Sequence, residues 1–225
     1  MFDLVIFDMD GVLVDSELIS CETGARCLRE IGFEIDAAQV CERYLGVSVV
    51  TMIADVEAAL GRPVPEGFRE HIREQTLAAY EGRLKPVAGI DRAVEHAVRR
   101  EGSRCCVASS SHPERIRKSL ELCGLFDRLQ PHLFSSTMVE HGKPAPDLFL
   151  FAARKMGASP DRCIVVEDSV AGVTAGTAAG MIVVGLTAGS HVEHDRHAPK
   201  LIAAGARHIA RDADELVAIM EELDR

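Results

Sequence analysis

The segment of this chain best suited to chemistry is a short apolar run that ends in two aspartates. Leu4–Phe7 is followed directly by Asp8-Met9-Asp10-Gly11. A short β-rich apolar run bounded by Asp and Gly indicates a buried strand, and open α/β sheets bind ligands at the carboxyl ends of their strands. Residues two apart on a strand or its direct extension point the same way, so Asp8 and Asp10 can face one substrate. Because neighbouring carboxylates repel each other, the pair indicates a divalent cation between them or one protonated carboxyl.

Length and composition limit the classes of protein to consider. The chain has 225 residues, of which 47% are hydrophobic, enough for one sizeable core and a smaller accessory domain. Its net charge of −10 disfavours a nucleic-acid partner. We find no basic leader and no apolar run long enough to span a bilayer. We therefore expect a cytoplasmic, soluble monomer without nucleic-acid or membrane partners.

The cysteines also favour a cytoplasmic location. There are seven of them, an odd number, and no two are spaced as C-x-x-C. Cys105 and Cys106 lie in an apolar run, where we expect them to pack as small hydrophobic residues. This usage favours a reducing compartment.

The pattern of elements changes along the chain. Residues 16–83 have helical periodicity throughout, punctuated by glycines, whereas strand and helix signals alternate after residue 84. Such alternation indicates βαβ units and a parallel sheet covered on both faces. The sequence thus predicts an α/β fold, a Rossmann-like doubly wound sheet formed by residues 1–15 and 84–225, with an all-helical domain at 16–83 inserted after the first strand. The predicted later elements are strands at 104–108, 131–135, 163–167, 181–185 and 207–210, and helices at 90–101, 113–123, 146–156, 170–179, 198–204 and 213–223.

Polar residues follow three more of these strands. Ser109-Ser110-Ser111 would offer a hydroxyl and backbone amides to an anion, although Ser110 or Ser111 capping the next helix is an equal alternative. Lys143 precedes Pro144 in a stiff loop, and a lone lysine of this kind is more often solvated. The pair Glu167-Asp168 ends another strand, where acidic residues often only cap a helix. Each signal is weak alone, but all converge on the edge that carries Asp8 and Asp10.

Together, these motifs resemble the haloacid dehalogenase superfamily in type and order, over the whole chain. Within it, the chain is most similar to phosphatases and phosphomutases with a helical cap inserted after the first motif, such as β-phosphoglucomutase and the bacterial sugar-phosphate and 6-phosphogluconate phosphatases. The dehalogenases of the superfamily lack the second aspartate, which is present here. The residues that carry the resemblance are Asp8-x-Asp10-Gly11, Ser109, Lys143-Pro144 and Glu167-Asp168-Ser169.

The resemblance implies a phosphatase that acts through an aspartyl phosphate. Asp8 would be the nucleophile and Asp10 the general acid and base. Lys143 would neutralise charge on the transferring phosphoryl group, and Ser109 and Ser110 would bind its oxygens.

The resemblance also implies a Mg²⁺ cofactor. The ion would be held by the Asp8 carboxylate, the Asp10 backbone carbonyl and the Asp168 carboxylate. Glu167 would contact it through water.

The same resemblance places the leaving group of a small phosphorylated metabolite between two segments. Ser16 and Glu17 would face a cap segment that contains Gly46, Val47 and Ser48. Closing such a lid excludes water. Arg43 and Arg73 are further candidates for contact with the leaving group.

Three alternative functions need residues or losses of residues that can be compared with this sequence. β-Phosphoglucomutases have an Arg where Val49 stands and a His near Ser20, so a phosphomutase is the second choice after a sugar or sugar-acid phosphate hydrolase. A phosphonoacetaldehyde hydrolase needs a cap lysine, whereas the first lysine here is Lys85. A protein that only binds a phosphorylated ligand would be expected to have lost Asp8 or another of the reactive residues.

His191, His194 and His197 form an H-x-x-H-x-x-H run. Imidazoles suit Zn, Ni or Cu, but residues at i, i+3 and i+6 do not share one helical face. We therefore expect a solvated loop near the rim of the site rather than a metal site.

Overall fold

The computed structural model describes residues 2–45, 47–99 and 104–225, and it contains one six-stranded sheet. Every strand pairing is parallel, and the strand order is β3-β2-β1-β4-β5-β6. The α/β fold class predicted from the sequence is confirmed. The strands are β1 (Leu4–Phe7), β2 (Arg104–Ser109), β3 (Leu133–Ser135), β4 (Cys163–Glu167), β5 (Ile182–Leu186) and β6 (His208–Ala210).

Strand β1 lies in the middle of the sheet because its four apolar residues are buried on both faces. Val5 and Phe7 pack into one hydrophobic cluster, and Leu4 and Ile6 pack into the other. Such a continuous apolar run is typical of a parallel strand covered on both sides. With β2 on one side and β4 on the other, the carboxyl end of β1 is flanked by two further strand ends.

The first four helices after β1 along the chain form a helical insertion. They enclose a hydrophobic cluster of their own, which includes Leu28, Val40, Val56 and Ile72. The predicted all-helical insertion is confirmed, whereas its limits at 16 and 83 stay a prediction. The helices are α1 (Glu17–Glu30), α2 (Ala37–Tyr44), α3 (Val49–Leu60) and α4 (Phe68–Tyr80).

The remaining helices cover the two faces of the sheet. Side chains of α5, α6 and α11 join the cluster around Phe7, whereas those of α8, α9 and α10 join the cluster around Ile6. None of the helices in the described ranges is long and apolar enough to cross a membrane. These helices are α5 (Ile90–Arg99), α6 (Pro113–Leu122), α7 (Phe126–Leu129), α8 (Asp147–Met156), α9 (Val170–Ala178), α10 (His194–Ala204) and α11 (Ala213–Leu223).

Within the described ranges, three elements differ from the prediction by more than one residue. Helix α10 begins at His194, whereas the sequence places its start at 198, because Pro199 is typical of a first helical turn yet lies inside this helix. Strand β3 begins at Leu133, two residues after Pro131, and the four-residue α7 is too short to give a periodic pattern. The last residues of the predicted helix 90–101 lie outside the described ranges.

Cys21 and Cys41 form a disulfide that joins α1 to α2. The sequence pattern favoured a reducing environment and gave no indication of this pair, because the two cysteines are brought together only by helix packing. Cys105 and Cys106 are free and buried, as expected. The other free cysteines are Cys27, Cys123 and Cys163.

Truncating Ile6 should destabilise the fold strongly. Ile6 is fully buried on the central strand, so Ile6→Ala should lower the free energy of unfolding by about 2–5 kcal/mol. Urea unfolding followed by circular dichroism measures this change. The matched control is Ile202→Ala on α10, where the side chain is 58% exposed and the expected change is below about 0.5 kcal/mol. Equal losses in the two variants would contradict the assignment of the core.

Candidate active site

The carboxyl edge of the sheet and the helical insertion enclose a cleft of about 800 Å³. Asp8 and Asp10 follow β1 at the centre of this edge, and both line the cleft. Residues at the ends of β2 and β4 line it as well, together with Lys143. The structure thus brings the sequence motifs together at the edge where the strand pattern predicted them.

Lys143 lies between two buried carboxylates. Its Nζ donates to Asp8 Oδ1 at 2.5 Å, to Glu167 Oε1 at 2.7 Å and to the Ala108 carbonyl oxygen at 3.0 Å. The side chain is only 2% exposed, so the alternative of a solvated surface lysine is wrong. Burial alone would lower the pKa of Lys143, but the two carboxylates raise it above its ordinary value. The ammonium therefore remains charged at neutral pH.

Asp8 is the nearest partner of this ammonium. Burial raises the pKa of Asp8 well above its ordinary range, and the Lys143 charge opposes that shift. Neighbouring negative charges on Glu167 and Asp168 raise the pKa of Asp8 further. A second cation in this cluster would therefore favour the ionised, nucleophilic form of Asp8.

Asp8, Glu167 and Asp168 have the donor set of a hard cation site. One carboxylate oxygen from each lies within 4.8 Å of the others, and all three residues are buried. Within the described part of the chain, Asp168 Oδ2 is buried without a hydrogen-bond partner. Burial and the Glu167 charge raise the pKa of Asp168. An oxygen-only cluster of this kind fits Mg²⁺ better than a transition metal.

The Glu167 carboxylate accepts more hydrogen bonds than that of Asp168. Besides Lys143, its carboxylate accepts hydrogen bonds from the Ser169 backbone amide at 2.8 Å and the Ser169 hydroxyl at 2.9 Å. Ser169 itself is the N-cap of α9, and its side chain accepts a hydrogen bond from Gly172 N. The alternative that Glu167 or Asp168 caps this helix is therefore wrong.

Two glycines make room for these carboxylates. A Cβ on Gly172 would lie 1.6 Å from Glu167 Oε1, and one on Gly11 would lie 1.9 Å from Asp168 Oδ2. Gly11 also has a φ of 78°, a backbone conformation that residues with a side chain rarely adopt. The Asp-Gly pair thus allows the acidic cluster to approach the backbone after β1.

Asp10 is held by three donors. Its Oδ1 accepts from the Ser16 hydroxyl at 2.5 Å and from Arg115 Nη2 at 2.6 Å, and its Oδ2 accepts from the Ser111 hydroxyl at 2.7 Å. Sequence reasoning missed Arg115 and the role of Ser111. It placed Ser16 among the leaving-group contacts, but Ser16 is fully buried and bonds to Asp10 instead.

The serines after β2 do not cap α6. The N-cap of that helix is His112, without a side-chain hydrogen bond, so the capping alternative for Ser110 and Ser111 is wrong. Ser109 Oγ accepts from Ser111 N at 3.0 Å, and the Ser110 carbonyl accepts from Ser136 Oγ at 2.8 Å. These contacts fix a turn whose serines line the cleft beside Asp8.

The helical insertion supplies the opposite wall. Glu17, Val47 and Ser48 line it as expected, and Ser48 also accepts from Thr51 N as the N-cap of α3. Gly46 lies outside the described residues. Arg73 lines the cleft, whereas Arg43 is exposed and is absent from the described lining. Further lining residues from the insertion include Ser20, Val49 and Arg69.

The prediction of a solvated histidine loop is wrong. The His191 side chain is 2% exposed, with its Nε2 3.0 Å from Asp168 Oδ2, and burial lowers its pKa so that the ring is neutral. Gly189 leaves room for this ring, because a Cβ there would lie 2.6 Å from it. His197 contacts the Asp168 backbone carbonyl, and His194 Nδ1 contacts Thr187 Oγ1 at 2.7 Å. The three rings contact three different atoms, two of them on Asp168, and form no ligand cluster among the described residues.

The geometry defines an α/β protein with an acidic, lysine-containing site beneath a helical insertion. Residues 2–180 match the family model of haloacid dehalogenase-like hydrolases, and the chain belongs to this family. It is 30% identical over 190 residues to the 6-phosphogluconate phosphatase of Escherichia coli (strain K12), which covers 84% of each chain.

Two solved structures are similar over nearly the full length. A haloacid dehalogenase-like protein of unknown function from Agrobacterium tumefaciens str. C58 is 34% identical, with a TM-score of 0.82 and 100% of both chains covered. A family hydrolase from Deinococcus radiodurans R1, with bound phosphate and sodium, is 32% identical, with a TM-score of 0.77 and coverage of 99% of this chain and 96% of that one.

Glu17 gives a pH-dependent prediction. Burial, with the neighbouring charges of Asp10 and Asp168, raises its pKa from 4.5 to about 8. Between these values the folded protein keeps a proton that the unfolded chain loses, so the free energy of unfolding falls as pH rises through this window and levels off above it. The glutamine of Glu17→Gln cannot ionise, so this variant does not undergo the same fall in the free energy of unfolding. In the presence of a chelator, the melting temperature of Glu17→Gln minus that of the wild type should therefore be larger at pH ~8 than at pH 5.

The control for this comparison is Glu66→Gln, at an exposed loop position. Its melting temperature relative to wild type should be the same at both pH values. An equally constant difference for Glu17→Gln would refute the raised pKa.

Proposed function

We propose that this protein is a Mg²⁺-dependent phosphatase that hydrolyses a small phosphate monoester through an aspartyl phosphate on Asp8. The observation that carries the proposal is the buried cluster in which Lys143 bonds Asp8 and Glu167 beside Asp168. Membership of the hydrolase family and a phosphatase among the relatives support it.

In the first half of the reaction, an Asp8 carboxylate oxygen attacks phosphorus opposite the ester oxygen. The new bond joins Asp8 to phosphorus, and the bond between phosphorus and the ester oxygen breaks with its electron pair on that oxygen. Asp10 supplies a proton to this oxygen, so the leaving group departs as an alcohol. Lys143 neutralises negative charge on the equatorial oxygens, and Ser109 and Ser110 bind them.

In the second half, water attacks phosphorus of the aspartyl phosphate. Asp10, now ionised, takes the proton from this water, and the bond from phosphorus to Asp8 breaks. Inorganic phosphate leaves, and both aspartates return to their starting states. The same two residues therefore serve both steps.

The metal would be held by the Asp8 and Asp168 carboxylates and the Asp10 backbone carbonyl, with Glu167 contacting it through water. When bound, Mg²⁺ supplies positive charge that draws the phosphate and the Asp8 carboxylate together. The buried Asp168 Oδ2 lies 3.0 Å from His191 Nε2 but accepts no hydrogen bond from the described residues, so it fits this role.

The helical insertion would act as a cap over the leaving group, with its limits at residues 16 and 83. Glu17, Val47 and Ser48 lie on the cleft wall and are the proposed cap contacts, with Gly46 beside them in the sequence. A sugar or sugar-acid phosphate suits a cleft lined by Arg69, Arg73 and hydroxyl side chains. The cytoplasmic location and the monomeric state stay predictions from the sequence.

A phosphomutase is the second candidate function, because it would use the same aspartyl phosphate. Ser20 and Val49 line the cleft here, and neither can contact a second phosphate with a charged group. Water should therefore be the acceptor. Assaying phosphate release over a panel of sugar, sugar-acid, polyol and nucleotide phosphates, alongside isomerisation of β-glucose 1-phosphate, distinguishes the two. Fast isomerisation that depends on a bisphosphate primer and releases little phosphate would overturn the hydrolase assignment.

Removing metal should abolish turnover. An oxygen-only donor set favours a hard cation, so Mg²⁺ should restore activity after chelation better than Zn²⁺ does. The measurement is steady-state release of p-nitrophenol from p-nitrophenyl phosphate. Full turnover in excess chelator would contradict the metal assignment.

Asp8→Asn should lose at least about 10³-fold in kcat, because an amide cannot form the acyl phosphate. Its circular dichroism spectrum should match that of the wild type. The control is Asp127→Asn on α7, outside the described lining of the cleft, which should keep wild-type kcat. A near-normal rate in the Asp8 variant would exclude Asp8 as the nucleophile.

A further inference from the structure

Arg115 links the sheet side of the cleft to the helical insertion. From the first turn of α6, its Nη2 donates to Asp10 Oδ1 at 2.6 Å and to Ser20 Oγ on α1 at 3.2 Å. Its guanidinium carbon lies 5.5 Å from the ring centroid of Tyr80 on α4, and Ser20 and Tyr80 are themselves 2.9 Å apart at their hydroxyl oxygens. The side chain is 18% exposed and lines the cleft.

The guanidinium has donor capacity that these contacts do not use. Arginine carries five N–H donors, and Arg115 Nε is buried without a hydrogen-bond partner in the described ranges. A buried donor without a partner destabilises the protein, so its retention beside a cleft indicates a partner that arrives with a ligand.

The position of Arg115 limits what this partner can be. If Asp10 protonates the ester oxygen of the substrate, two consecutive hydrogen bonds place the guanidinium within roughly 5–6 Å of that oxygen. This distance fits an oxygen on the carbon next to the phosphorylated carbon. Arg69 and Arg73 come from α4 on the opposite wall and lack a bond to Asp10 among the described contacts.

We propose that Arg115 is a specificity-determining residue that binds a hydroxyl or carboxylate oxygen on the carbon adjacent to the phosphorylated one. This inference rests on the proposed phosphatase function and narrows its substrates to phosphate esters with an oxygen substituent at that carbon. Arg115 would thereby align the leaving group with Asp10, since one guanidinium contacts both.

The test uses two pairs of esters, each differing only in the group next to the phosphorylated carbon. Phosphoglycolate is compared with ethyl phosphate, and glycerol 3-phosphate with 3-hydroxypropyl phosphate. For each pair, the ratio of kcat/KM is measured in the wild type, Arg115→Met and Arg115→Lys. The control is Arg117→Met on the same helix, which is exposed and contacts the Phe126 ring instead of the cleft.

The wild type and Arg117→Met should both favour the oxygenated ester by about 10-fold or more, which is the effect of a hydrogen bond to a charged donor. In Arg115→Met this ratio should fall towards one, and in Arg115→Lys it should be intermediate. Loss of the Asp10 contact alone would slow both esters of a pair equally and leave the ratio unchanged. An unchanged ratio in Arg115→Met, or no preference in the wild type, would overturn the inference while leaving the phosphatase assignment intact.

If the methionine variant does not fold, as judged by circular dichroism, Arg115→Lys decides the question, and a wild-type ratio in it would overturn the inference. Absence of phosphate release by the wild type from every ester would instead overturn the proposed function, and this inference with it.

Discussion

The Lys143 ammonium lies between the Asp8 and Glu167 carboxylates, all three almost fully buried, and the other charges of the cleft are arranged around it. Removing one partner of a buried ion pair leaves an uncompensated charge and typically destabilises a protein by about 3–5 kcal/mol. Three carboxylates would repel one another here without this cation. With Lys143 in place, the three carboxylates and the ammonium still have a net negative charge. A divalent cation would compensate this charge, so the same cluster suits metal binding.

The central position of β1 makes this arrangement possible. Because β2 and β4 pair with β1 in parallel, their carboxyl ends lie on either side of Asp8. A second constraint is space, since the Glu167 carboxylate occupies the position that a side chain on Gly172 would fill.

Asp10 has a different environment from Asp8, although only one residue separates them. Asp8 is paired with a lysine from the α/β part, whereas Asp10 bonds to Ser16 at the start of the helical insertion and to Arg115, which also contacts Ser20 within it. A movement of the insertion relative to the sheet would therefore alter the surroundings of Asp10 while leaving Lys143 on Asp8. This difference suits the roles proposed for the two residues. Asp8, the proposed nucleophile, would stay fixed, whereas the hydrogen bonds of Asp10, the proposed acid, would depend on what the cleft contains.

The sequence was most informative where local pattern determines structure. The apolar runs of β1 and β4 end in the acidic pairs, so strand ends, parallel pairing and the convergence of Asp8, Lys143 and Asp168 could all be predicted. Arg115, Ser111 as a partner of Asp10, and the Cys21–Cys41 disulfide could not, because they depend on how helices pack over long chain separations. The burial of His191 is not predictable for the same reason, since the spaces left by Gly11 and Gly189 allow its ring to be buried.

The proposed function depends on a covalent phosphoryl group on Asp8. It is tested most directly by quenching the enzyme during turnover, reducing it with borohydride and mapping the product by mass spectrometry, because reduction converts an aspartyl phosphate to homoserine. We expect homoserine at position 8, dependent on both substrate and Mg²⁺, with unmodified aspartate at position 10. Active turnover with no modification at Asp8, or with phosphate trapped on a serine or histidine instead, would contradict it.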